Sequence, residues 1–125
     1  MKNIETKNAP AAIGPYSQAM VANELVYTSG QIPIDPKTGG IESEGIEAQT
    51  EQVIRNLRAV LEEAGSGLEQ VVKTTCFLKN INDFAAFNAV YGRYFAQKPA
   101  RSCVEVSALP KGALVEIEVV AVLLP

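Results

Sequence analysis

Hydrophobic and polar residues follow two rhythms along this chain. Alternation every second residue marks strands, and a stripe at three- and four-residue spacing marks helices. Val53, Ile54, Leu57, Val60, Leu61 and Ala64 form one helical stripe, which predicts a helix over Ile46–Ala64. Gly65-Ser66-Gly67 ends it, with glycine free to take the left-handed cap. Phe84, Phe87, Val90, Tyr91, Tyr94 and Phe95 form a second stripe, capped by Asn82 or Asp83 and stopped by Lys98-Pro99. Strands are expected over Tyr16–Ala22 and Leu25–Ser29, joined as a hairpin through Asn23-Glu24. Further strands are expected over Gln70–Lys79, Pro99–Val106 and Ala113–Leu123, with Lys2–Lys7 as a weak edge strand. Asn8–Pro15 reads as a loop by its two prolines and its glycine, and Asp35–Gly40 as a turn cluster.

The resulting order is β-β-β-α-β-α-β-β, an α+β arrangement. Two helices with one apolar stripe each can cover one face of a mixed sheet. The other face is left for solvent or for further subunits. Alternation puts Arg101, Cys103, Glu105 and Ser107 on one side of their strand and Ser102, Val104 and Val106 on the other. In the last strand Glu116 and Glu118 share a side, opposite Val115, Ile117, Val119 and Ala121. The expectation is that Arg101, Cys103, Glu116 and Glu118 all occupy the helix-free face. A half-apolar face of that kind is explained by oligomerisation, which makes a cleft between subunits the natural ligand site. Arg101 there could grip a carboxylate, and Glu116 could handle a proton.

The 125 residues fit a single domain spanning 1–125. Net charge is −3 and no Lys/Arg cluster stands out, which argues against nucleic acid and acidic membranes as partners. Met1–Glu5 has no apolar signal region and the longest apolar run, Val119–Leu124, is too short to span a bilayer, so a cytoplasmic protein is expected. The chain has no histidine, which removes His-based triads and His metal ligands. Cys76 and Cys103 alone do not make a zinc site, and no metal is expected. Acid–base work must fall to Glu, Asp, Lys, Tyr, Cys, backbone or water.

Several ordered motifs then converge on one family. Ala11-Ala12-Ile13-Gly14-Pro15-Tyr16-Ser17-Gln18, Ser29-Gly30-Gln31-Ile32-Pro33, Val72-Lys73-Thr74-Thr75, Asn82-Asp83-Phe84, Pro99–Val106 and Val115-Glu116-Ile117-Glu118 together resemble the RidA (YjgF-like) family from about Thr6 to the C-terminus. The resemblance implies a chorismate-mutase-like fold and a homotrimer with ligand clefts between subunits. It implies cofactor-free hydrolysis of enamine and imine intermediates, such as 2-iminobutanoate and 2-iminopropanoate, to 2-oxo acids and ammonia. It places the family's carboxylate-binding arginine on Arg101 and its water-handling glutamate on Glu116. Tyr16, Ser29, Gly30, Asn88 and Cys103 match other positions that line the cleft. The link Tyr94–Pro99 is shorter than in some members, so the resemblance leaves the shape of the cleft rim open but not the core residues.

The chemistry suits these residue types. A guanidinium offers a planar fork to a carboxylate that lysine cannot reproduce. An iminium is already electrophilic, so the protein need only hold it, place a water and move protons. Cys103 has no base to activate its thiol, so its backbone is the expected contributor. The aromatic stripe of the second helix is read as core rather than as a stacking platform. Two alternatives stand beside hydrolysis. One is a non-catalytic regulatory trimer that binds 2-oxo acids. The other is the ribonuclease or translation-inhibitor activity attributed to some relatives.

Overall fold

Eight elements form, in the expected order, and the computed structural model describes residues 1–125. The strands are β1 (Lys2–Ile4), β2 (Ala19–Ala22), β3 (Leu25–Thr28), β4 (Val71–Leu78), β5 (Ala100–Glu105) and β6 (Val115–Val122), and the helices are α1 (Gly45–Ala64) and α2 (Phe84–Tyr94). They build one six-stranded sheet in the order β1-β2-β3-β6-β4-β5. Every neighbouring pair is antiparallel except β4 and β5. A parallel pair needs a crossover, and α2 supplies it. The longer α1 carries the chain from β3 to β4, leaving room between them for β6. The chain is therefore an α+β fold with two helices on one mixed sheet.

Burial explains why this arrangement closes. On α1, Val53, Ile54, Leu57, Val60 and Leu61 are all fully buried, as their spacing requires. They pack with Phe87, Val90 and Phe95 of the α2 region and with Cys76, Leu78, Val115, Ile117, Val119 and Ala121 from the sheet. Each large side chain buried in this way contributes roughly 1.5–3 kcal/mol. Gly65 closes α1 at φ 87°, in the left-handed region that a side chain disfavours.

The structure corrects the sequence reading at several places. β1 stops at Ile4 and Tyr16–Gln18 lie outside β2. The cause is Gln18, whose buried Nε2 donates to the carbonyls of Thr6, Ala9 and Pro10 at 3.1, 3.4 and 2.7 Å. Its Oε1 accepts from Thr6 N–H at 2.7 Å. The amide side chain thus takes the place of strand pairing for both segments. The second helix is not capped by the side chain of Asn82 or Asp83. Asn80 Oδ1 accepts from Asn82 N–H at 2.9 Å, and a 3-10 turn over Ile81–Asp83 leads into α2.

The largest correction concerns the faces. Arg101 and Cys103 stand in register beside Thr74 and Cys76 of β4, and both β4 side chains are fully buried under the helices. Paired residues on neighbouring strands project to the same face. Arg101 and Cys103 therefore point to the helix side. Glu116 pairs with Phe77 and Glu118 with Thr75, on the helix-free side. The alternation within each strand was legible, but the phase between β5 and β6 is set by the pairing of each with β4.

Candidate active site

The helix side of β5 holds Arg101 without a counter-charge. Its Nη1 donates to Asn88 Oδ1 of α2 at 2.7 Å. Its guanidinium carbon lies 4.8 Å from the ring centre of Tyr91, 5.4 Å from Phe84 and 5.9 Å from Phe87. Ring faces attract a cation and leave its N–H groups free along the edge. The one ion pair in the protein joins Arg93 to Glu51 at 3.2 Å, so no carboxylate neutralises Arg101. Arg101 opens into a cavity of about 420 Å³ lined also by Asn88, Tyr91, Gly92 and Lys98. The Tyr94–Pro99 link forms part of its rim, and Lys98 there adopts φ 56°.

Cys103 lies two residues beyond Arg101, at the sheet edge. Burial pushes its thiol pKa up, offset only in part by Arg101. Cys76 beside it is pushed up to about 12, chiefly by burial. Neither thiol is poised as a nucleophile. The backbone tells a different story. Val106 N–H bonds to Leu78 O at 2.9 Å. In a parallel ladder alternate residues point their peptide groups to opposite edges, so those of Cys103 and Arg101 face the unpaired edge of β5.

A second group forms on the other face. Gln31 and Ile117 exchange backbone bonds at 2.9 and 3.1 Å, which holds the segment after β3 against β6. This brings Gly30 against Glu116. A Cβ built on Gly30 would overlap Glu116 Oε2 and lie 2.8 Å from its carboxyl carbon, so the carboxylate rests where any other residue would put a side chain. Tyr16, Ser29, Gly30 and Glu116 line one cavity of about 460 Å³, together with Ile13, Ile32 and Pro110. Burial, and then the neighbouring Glu118, raises the pKa of Glu116 above its ordinary 4.5. Ser29 Oγ donates to Ser17 O at 2.6 Å, which ties the loop and leaves the hydroxyl oxygen to accept. Tyr16 is half exposed, and its hydroxyl accepts from Ile13 N–H at 3.5 Å.

The seven expected site residues thus fall into two groups on opposite faces of the sheet. Arg101, Asn88 and Cys103 form one, and Tyr16, Ser29, Gly30 and Glu116 the other. The endoribonuclease L-PSP family matches residues 6–123. The chain belongs to this family, which includes the RidA proteins. It is similar to a RutC family protein of Synechocystis, with 61% identity covering 98% of this chain and 97% of that one. It is also similar to a 2-iminobutanoate/2-iminopropanoate deaminase of Salmonella typhimurium, with 51% identity covering 97% of each. The crystal structure of E. coli TdcF with bound serine superposes with a TM-score of 0.92 at 42% identity, covering 98% of both chains.

Sequence reasoning missed residues that shape this L-PSP family site from behind. Gln18 fixes the loop carrying Tyr16, as described above. Asn56 of α1, almost fully buried, donates to the carbonyls of Ile32 and Ile34 at 3.1 and 2.9 Å and so fixes the loop beyond Gly30. The available signal was an amide on the apolar stripe of α1. The aromatic stripe of α2 is indeed core at Phe87, Val90 and Phe95, yet Phe84, Phe87 and Tyr91 also cradle Arg101. Hydrophobic spacing does not separate those two uses.

Proposed function

We propose that this protein hydrolyses small 2-imino acids, 2-iminobutanoate and 2-iminopropanoate among them, to 2-oxo acids and ammonia. The observation that carries the reading is Arg101, a partly buried cation fixed by rings and an amide but left without an acid. Such a group is preorganised for an incoming carboxylate. The deaminase name of the Salmonella relative and the serine bound in TdcF, itself an amino acid with a carboxylate, favour the same ligand class. A ribonuclease reading fits less well, because the chain carries a net −3 and no histidine.

In this reading Arg101 takes the substrate carboxylate, and Glu116 in its ionised form accepts a proton from water as the water oxygen bonds to the imine carbon. The protonated Glu116 then gives that proton to the amine nitrogen. The C–N bond breaks, ammonia leaves, and the carboxylate of Glu116, ionised again, takes the hydroxyl proton as the carbonyl forms. A raised pKa makes the Glu116 carboxylate a stronger base toward water than an ordinary glutamate.

One copy of the chain cannot bring Arg101 and Glu116 together, because the sheet lies between them. A cleft built from the β5 edge of one copy and the Glu116 face of the next can, and a homotrimer closes that arrangement by rotation. The helix-free face offers an apolar surface for such contact, with Tyr27 and Val104 each 45% exposed. The deciding experiment mixes Arg101→Ala with Glu116→Gln protein, unfolds them together and reassembles them. Each variant alone is expected to be nearly inactive. Random mixing should regenerate about a quarter of the clefts with both residues intact. No recovery in a properly assembled mixture would sink the shared cleft, and full activity of either variant alone would sink its residue's role.

A further inference from the structure

The ring beneath Arg101 is itself held. Tyr91 Oη and Thr74 Oγ1 lie 2.7 Å apart, with Tyr91 7% exposed and Thr74 fully buried. The Cys76 thiol donates to the same Thr74 oxygen at 3.8 Å. The Tyr91 ring is wedged between Phe87, at 5.5 Å between ring centres, and Phe95, at 4.5 Å. Thr74 pairs directly with Arg101 across the β4–β5 ladder. One residue on β4 thus fixes, through a ring on α2, where a guanidinium sits on β5.

Packing alone does not call for this hydrogen bond. Phenylalanine at 91 and valine at 74 would fill nearly the same volume and bury no polar oxygen, and replacing both partners of a buried pair is close to neutral for stability. What the pair adds is a defined ring height. A ring without it can tilt and slide between its aromatic neighbours. The guanidinium above would follow, since Tyr91 is the nearest of its three rings and its one side-chain hydrogen bond runs to Asn88.

We propose that Tyr91 is a positioning residue for Arg101, with Thr74 as its anchor, and that this pair sets how tightly the cleft holds a carboxylate. The inference rests on the carboxylate-binding role of Arg101 in the proposed function. It predicts that affinity and stability can be uncoupled.

The test compares Tyr91→Phe, Thr74→Val, the double variant and Thr74→Ser with the unmodified protein. Thermal unfolding, calorimetric titration with 2-oxobutanoate and the Arg101 Nε–Hε NMR signal are measured on each. Each of the first two single variants should unfold at lower temperature and bind about three- to tenfold more weakly. The double variant should recover its unfolding temperature while affinity stays weakened and the Arg101 signal stays shifted or broadened. Thr74→Ser keeps the hydroxyl and should preserve affinity and the Arg101 signal, while the lost buried methyl lowers its unfolding temperature. Affinity that recovers together with stability in the double variant would overturn the proposal, as would unchanged affinity in Tyr91→Phe. If the unmodified protein takes up no 2-oxobutanoate, the deaminase reading falls separately. The Arg101 signal then decides alone: a sharp signal lost in the double variant supports the positioning role, and an unchanged one refutes it.

Discussion

The two faces of the sheet hold ionisable groups in opposite ways. On the helix side Arg101 is gripped by side chains: three rings, an amide and, behind them, a hydroxyl pair. On the helix-free side Glu116 leans on bare backbone at Gly30, inside walls made of loops. The first environment keeps a cation aimed. The second, through burial and Glu118, pushes a carboxylate toward its neutral form. These needs conflict at close range, because an arginine beside Glu116 would pull its pKa down. Keeping the sheet between them within one chain preserves both properties. In the proposed cleft the substrate carboxylate offsets the arginine's charge.

The contrast breaks most sharply at Arg101. Arg101→Ala should leave the fold intact and lower kcat/KM by roughly 10²-fold or more, on the order of 3 kcal/mol, with 2-oxobutanoate binding lost in parallel. Arg101→Lys should recover only part, since an ammonium lacks the fork. On the other face Glu116→Gln should lower kcat by about 10²-fold while leaving 2-oxobutanoate affinity in place. Equal loss of kcat and affinity in that variant would erase the division between a binding half and a proton half.

Subtler changes sharpen the comparison. Gly30→Ala should displace the Glu116 carboxylate and reduce kcat roughly tenfold with little change in affinity, which steady-state kinetics on the folded variant will check. A raised folded pKa means that Glu116 binds its proton more tightly folded than unfolded. Its ionisation therefore costs stability as pH rises from the ordinary glutamate range through the raised value. Glu116→Gln should consequently unfold at an equal or higher temperature than the parent at pH 7, and the gap should close in acid below the ordinary range. The smallest effect is expected from Cys103→Ser, which keeps the backbone and should retain most activity. Complete loss with intact assembly would return the thiol to the mechanism.

Most of the scaffold was legible because it is written in side-chain spacing. The α1 stripe and the β6 alternation appear as expected, and Gly65 caps α1 at the expected place. The candidate site was legible only as a set of residues, through the family motifs around Tyr16, Gly30, Arg101 and Glu116. Its geometry was not. Whether Arg101 and Glu116 share a face depends on how β5 and β6 each pair with β4, and those contacts span long stretches of chain. The amide ties from Gln18 and Asn56 were hidden for a related reason. A buried amide looks like a defect in an apolar pattern until the carbonyls it serves are known.

β5 sits at the outer edge of the sheet and is hydrogen-bonded to a neighbour strand only through β4. The strand that carries Arg101 is therefore among the easiest parts of the sheet to peel open in an isolated copy. Its amides should exchange with solvent deuterium early, ahead of those in β6 at the sheet's centre. Anything that seals the outer edge, a second copy or a ligand gripped by Arg101, should slow that exchange. The recognition strand would then be completed by the encounter itself, and its protection against exchange would report occupancy of the cleft.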